Sequence, residues 1–253
     1  MVTPPKPPVR NRWFDRLLNP SHVVVDAINL VQSDIIPAWR RTYEGESSVP
    51  VILALVVASV LQSVIPTRVV HPVRWLFPSV AFALLVVLVA AHGTRIHRAS
   101  PVLRLCTLLF MLVLSGANIA AAYRLIADLL QGEGIRDPGD LLLTGAAIWL
   151  TNVIIFAFWY WMFDRGGSVA RAINPRPYPD FLFPQMGDPQ LAKPGWRPEF
   201  FDYLYTSFTN ATAFSPTDVM PMSRWAKLTM MVQSSVALLL AILVIARAVN
   251  ILK

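Results

Sequence analysis

The chain lacks most of what a soluble enzyme or a secreted domain would use. Cys106 is its only cysteine, so no intrachain disulfide can form. The four histidines, His22, His71, His92 and His97, are scattered, and no two share a helix face at metal-ligand spacing. No glycine-rich phosphate cradle and no Ser-His or paired-Asp arrangement occurs. Neither a metal, nor a cofactor, nor an enzymatic activity is therefore expected. Residues 1–8 are proline-rich and basic and have no apolar core, which argues against a secretory signal peptide. Charge is also scarce: 15% of residues are charged against 55% hydrophobic. Together with a mean hydropathy of +0.51, this excludes an ordinary soluble domain and makes the lipid bilayer the first expected partner. The formal charge of +7 would suggest nucleic acid in a soluble protein. In a membrane protein, basic residues gather in cytoplasmic loops for topological reasons, and no nucleic-acid partner is expected.

What is present in quantity is apolar sequence in runs long enough to cross a membrane. The pattern predicts an all-α integral membrane protein, multi-pass in the plasma (inner) membrane. It should have about five transmembrane helices, a re-entrant pore helix and an N-terminal amphipathic helix. Three regions follow: 1–48, a tail and interfacial helix; 49–140, a three-helix membrane region; and 141–253, a unit of helix, proline-rich loop, re-entrant helix and last helix. Over 13–39, Leu17, Val24, Ile28, Val31 and Ile35 recur at helical spacing opposite Asp26, Asn29, Ser33 and Asp34, as in a helix lying on a membrane surface.

Spans are predicted at 49–65, 75–91, 102–126, 141–163 and 225–251. In the third, Ser115, Gly116, Ala117, Ala120, Ala121 and Ala122 form a small-residue packing seam. Asp140 is read as the N-cap of the fourth, Asn152 as its one interior polar group, and Trp159, Tyr160 and Trp161 as an interfacial aromatic belt. Prolines at 175, 177, 179, 184, 189, 194 and 198 argue against regular structure over 164–199. The interleaved Tyr178, Phe181, Phe183 and Trp196 argue for an ordered cap all the same, because disordered chain is aromatic-poor.

The stretch 200–213 is apolar, aromatic and too short to span, which is the form of a re-entrant helix. Backbone that ends at membrane depth must be buried in protein or line a water-filled cavity. After it come Thr212-Ala213-Phe214-Ser215-Pro216-Thr217-Asp218, then Pro221, then the last span, where Gln233, Ser234 and Ser235 are candidates to face a conduction path. Two readings of 212–218 stand: a pore-lining loop with Asp218 contributing to a ring of carboxylates, or a Ser-Pro turn with Asp218 solvated.

The order of helix, short helix, loop and helix resembles the pore unit of the tetrameric potassium-channel superfamily. There a pore helix ends in T-T-V-G-Y-G-D, and a proline three residues later precedes the inner helix. Thr212, Asp218 and Pro221 match that frame; Ser215 and Thr217 replace both filter glycines and Pro216 the tyrosine. The resemblance implies a homo-oligomer, four-fold by analogy, with monovalent cations as permeant species. A filter turns successive carbonyls toward the ion, and glycine reaches the backbone angles this needs at little cost. The substitutions therefore imply a weakly selective pathway rather than a potassium sieve. The run Asp202-Tyr203-Leu204-Tyr205-Thr206-Ser207-Phe208-Thr209 also resembles that of a bacterial family of multi-spanning membrane proteins, which implies no activity. The alternative function is a non-conducting scaffold that keeps the pore-unit architecture and holds a lipid or a partner. For orientation, an N-terminus inside places most Lys and Arg on the cytoplasmic side. It also makes the re-entrant helix enter from the cytoplasm, the reverse of potassium channels.

Overall fold

A computed structural model describes residues 38–41, 43, 46, 47, 49–65, 79, 83, 86, 101–132, 135, 137–173, 178–188, 192, 193, 195–212 and 218–251. The amphipathic segment up to residue 37, most of the expected second span, and residues 213–217 lie outside them. Seven α-helices are distinguished among the described segments: α1 (Val49–Val64), α2 (Pro101–Gln131), α3 (Pro138–Phe163), α4 (Ser168–Ile173), α5 (Pro184–Gly187), α6 (Phe200–Thr212) and α7 (Arg224–Ile251). Two short strands, β1 (Phe181–Leu182) and β2 (Met220–Pro221), pair antiparallel, Phe181 opposite Pro221. Among the described residues, three helices are long and apolar enough to cross a membrane: Leu105–Gln131, Pro138–Gly166 and Arg224–Ile251. At 16 residues, α1 extends only about 24 Å, short of a hydrocarbon core of roughly 30 Å.

The central helix is α3, on which α1, α2, α6 and α7 all pack. Its burial runs almost all the way round, from Leu141 to Met162. Two apolar clusters fix the order of the helices along it. Near its Phe163 end, Phe158 and Trp161 pack with Ala54 and Leu55 of α1 and with Phe110 and Leu114 of α2. Near its Pro138 end, Leu141 and Ile148 pack with Ile65, with Ala121 and Leu125 of α2, and with Leu240 and Val244 of α7. So α2 runs antiparallel to α3, and α7 starts where α3 ends. A Cβ added to Gly145 would come within 2.9 Å of Val244 Cγ1, which shows how closely α3 and α7 approach there.

Several expectations are corrected. The N-cap of α3 is Asp137, whose Oδ1 accepts from Asp140 N at 2.9 Å. Pro138 opens the helix, where the missing N–H costs nothing, and Asp140 lies in the first turn. In α2 the packed small residues are Ala117, Ala121 and Ala122, whereas Gly116 and Ala120 face outward. The prolines after 164 do not abolish regular structure: Pro184 begins α5, and β1 finds its partner in β2. The residues read as an aromatic belt turn inward: Tyr160 and Trp161 are buried, and Trp159 Nε1 donates to Ser115 Oγ at 3.1 Å.

Candidate functional site

The short helix α6 is thirteen residues long and lies against both α3 and α7. It begins at the Phe163 end of the bundle, where Phe200 packs on Phe158 at 4.8 Å between ring centroids. At the same end the chain comes back as β2, held beside β1. Asp202 reaches back from the first turn to accept from Glu199 N at 2.8 Å, occupying one of the donors that a helix start leaves open. The helix has two anchors, one at its entry and one deeper.

The entry anchor is a buried ionic cluster around the turn that follows α3. Asp164, Arg165 and Arg171 are essentially inaccessible, as are Glu46 and Tyr203. Asp164 Oδ1 accepts from Asp180 N at 2.9 Å. Its Oδ2 accepts from Tyr203 Oη of α6 at 2.6 Å and from Arg165 Nε at 3.2 Å. Asp180 answers by accepting from Arg165 N and from Trp225 Nε1 of α7, both at 2.9 Å. Arg171, from α4, donates Nη1 to the carbonyls of Trp161 and Asp164, at 2.7 and 3.0 Å, and Nη2 to Glu46 Oε1 at 2.9 Å. The other Glu46 oxygen accepts from Trp161 Nε1 at 2.5 Å. Burial by itself would lower the Arg171 pKa; Tyr203, Glu46 and Asp164 around it more than offset that and keep the guanidinium charged. Burial, reinforced by the Glu46 carboxylate, likewise pushes the Tyr43 phenol above its ordinary value.

The sequence permits this turn only because of its glycines. Gly167 has φ +99, and a Cβ there would meet Met162 O at 2.8 Å. Arg165 itself sits at φ 52, ψ 26, a left-handed conformation that a side chain adopts at a cost. Such a residue persists where its surroundings over-determine it; here its amide, its Nε and its Nη1, which donates to Trp39 O at 3.0 Å, are all engaged.

The deeper anchor carries no charge. Gln233 of α7 is fully buried; its Oε1 accepts from Tyr160 Oη at 2.6 Å and from Asn210 Nδ2 at 2.8 Å. Its Nε2 donates to Ser207 Oγ at 2.7 Å and to Ser207 O at 3.0 Å. Ser207 in turn donates to Val153 O of α3 at 2.6 Å. The C-terminal carbonyls of a helix have no intrahelical partners, and two of them are met by side chains. Ser234 Oγ donates to Asn210 O at 3.0 Å, and Thr212 Oγ1 to Thr209 O at 2.8 Å.

The residues singled out from the sequence are thus divided. Thr212 closes α6, half-buried; Ala213, Phe214, Ser215, Pro216 and Thr217 lie outside the described residues; Asp218 is exposed just before β2. Gln233 and Ser234 turn onto α6 within one chain, whereas Ser235 is exposed. Gln233 shares a stripe with Ala226, Met230, Ala237, Leu240, Val244 and Ala248, the buried residues of α7. Asn152 is buried, and its Nδ2 has no hydrogen-bond partner. Of the residues of both anchors, Glu46, Asp164, Arg165, Arg171, Asp180 and Asn210 were not singled out, while Tyr160 was read as part of an aromatic belt, and Tyr203 and Ser207 were named only within the run 202–209. A signal existed for part of this: Asp164-Arg165-Gly166-Gly167 sets two opposite charges and two glycines directly after a span. Among the described residues, no group of His, Cys, Asp and Glu is placed to hold a metal ion.

Comparison with protein-family models, with curated proteins and with solved structures gives no match.

Proposed function

We propose that α3, α6 and α7 form a channel-like pore unit in which α6 is the re-entrant helix and 212–218 line a weakly cation-selective path. The observation that carries this reading is that α6 enters, and the chain returns at β2, at one end of the bundle. A helix of thirteen residues covers only about 20 Å, so its last turn stops short of the far side of a bilayer. The path is shared among copies of the chain, four by analogy with tetrameric channels, with Asp218 giving an acidic ring that favours cations. Of the three candidates Gln233, Ser234 and Ser235 in α7, Ser235 is the one left to face that path. The described basic residues favour a cytoplasmic Phe163 end: Arg40, Arg41, Lys193, Arg197, Arg224 and Lys227 lie there, against Arg124 and Arg247 toward the other. By the positive-inside rule, α6 then enters from the cytoplasm of the plasma membrane.

The test is the oligomeric state of the purified protein, followed by cation flux in liposomes with Asp218→Asn. A ring-shaped oligomer whose flux falls in the variant supports conduction; a monomer or dimer, or unchanged flux, rejects it. The second reading is a non-conducting scaffold that holds a lipid or a partner. It is favoured by Gln233, a group expected on a conduction path that is instead spent on holding α6 in place.

A further inference from the structure

We propose that Trp39, Tyr43 and Glu46, in the stretch just before α1, act together as a lever that sets how firmly α6 is seated. The lever regulates the same element on which the channel-like reading rests. Three links join the segment to α6. Glu46 accepts from Arg171 at 2.9 Å; Arg171 donates to the Asp164 carbonyl at 3.0 Å; the Asp164 carboxylate accepts from Tyr203 at 2.6 Å. All four residues are at most 2% exposed, so water does not stand in when a link opens. A buried charge left without its partner is costly, which makes the relay close to all-or-none.

The segment is attached at further points. Tyr43 N donates to Ala172 O at 3.0 Å, Trp161 Nε1 donates to Glu46 at 2.5 Å, the Trp39 carbonyl accepts from Arg165 at 3.0 Å, the Arg165 guanidinium lies 5.3 Å from the centre of the Trp39 ring, and the Arg197 guanidinium lies 3.9 Å from the centre of the Tyr43 ring. When the segment withdraws, Arg171 loses its carboxylate and Arg165 loses one of the groups that hold it at φ 52. Asp164, fixed by that turn, then holds Tyr203 less tightly, and α6 keeps only its neutral anchor. Coupling of this kind requires an element with two arrangements that both sites bias; the Asp164–Gly167 turn is that element.

The experiment is a labelling rate in the full-length protein in lipid. In a Cys106→Ser background, Thr206→Cys places a thiol on the buried face of α6 three positions after Tyr203, where a polar maleimide reaches it only when the Tyr203 end of α6 lifts. Adding Glu46→Gln should raise the labelling rate about tenfold, the change that a loss of about 1.4 kcal/mol in local closure gives. Tyr43→Phe, which removes one hydrogen bond from Glu46, should raise it less, and it serves where Glu46→Gln does not fold. Asn118→Leu breaks the Gln62 to Asn118 bond between α1 and α2 without touching the relay and should leave the rate within about twofold. A flat rate with Glu46→Gln, or an equal rise with Asn118→Leu, overturns the lever. The rate reports the seating of α6 whether or not ions pass, so a rise without flux would reject conduction and keep the lever.

Discussion

The two anchors of α6 solve the same problem with different chemistry. At the entry, five charged side chains, Glu46, Asp164, Arg165, Arg171 and Asp180, meet around Tyr203. Deeper in the bundle, Gln233, Asn210, Ser207 and Ser234 do the holding with amides and hydroxyls alone. Gln233 lies nine positions into α7, about 13 Å along the helix axis from Arg224. A charge at the centre of a bilayer costs roughly 2.5–3.5 kcal/mol even on the lenient insertion scale, whereas neutral groups need only partners. Depth thus selects the type of polar group. The ionic anchor also gathers residues from far apart in the chain, while the neutral one is built almost wholly from three helices that already touch.

This contrast can be broken one anchor at a time. The largest effect is expected from Arg171→Met, which leaves Glu46 buried without its cation: a loss of about 3–5 kcal/mol, read as a collapse of the melting temperature in detergent. A loss under 1 kcal/mol would mean that water reaches the cluster. Next comes Gln233→Leu, which leaves Tyr160 Oη without its acceptor and takes one partner each from Asn210 Nδ2, which keeps Met230 O, and Ser207 Oγ, which keeps Val153 O; leaving a buried polar group unpaired should cost about 1–3 kcal/mol, with hydrogen exchange rising in α6. If it costs more than Arg171→Met, the neutral anchor is the dominant one. Gly167→Ala imposes a side chain at φ +99 against Met162 O and should cost about 1–3 kcal/mol. It should loosen the Tyr203 end of α6 and leave the Asn210 end in place, a difference that exchange resolved by residue can read. The smallest effect belongs to Asp137→Ala at the opposite end of α3, about 1 kcal/mol for a lost N-cap, with α6 unchanged.

Legibility from sequence followed the range of the interactions. The long apolar helices were readable because length and composition are local: the span read at 102–126 lies inside Pro101–Gln131, and the last span differs from Arg224–Ile251 by one residue at its start. The extent of α6 was read as closely, at 200–213 against Phe200–Thr212. The cap of α3 was misplaced by three residues because Asp137 and Asp140 both suit the role, and only the position of Pro138 separates them. The ionic anchor was not legible, since Arg165 and Trp39 are 126 positions apart and no periodicity links them. Gln233 was read as facing a path because it is polar in an apolar helix. Its spacing from Ala226, Met230 and Ala237, seven and three positions before and four after, would have placed it on the packed stripe.

The ion pair between Glu46 and Arg171 spans 125 positions, and this has a consequence for how the protein is made. A ribosome adding about 5–20 residues per second needs roughly 6–25 s to travel from one to the other. Throughout that interval Glu46 lacks the guanidinium it pairs with in the folded chain. The stretch before α1 is therefore translated first and docks late, after α3 and α4 have been delivered. Biosynthesis and the lever share one order: what joins the bundle last is what leaves it first.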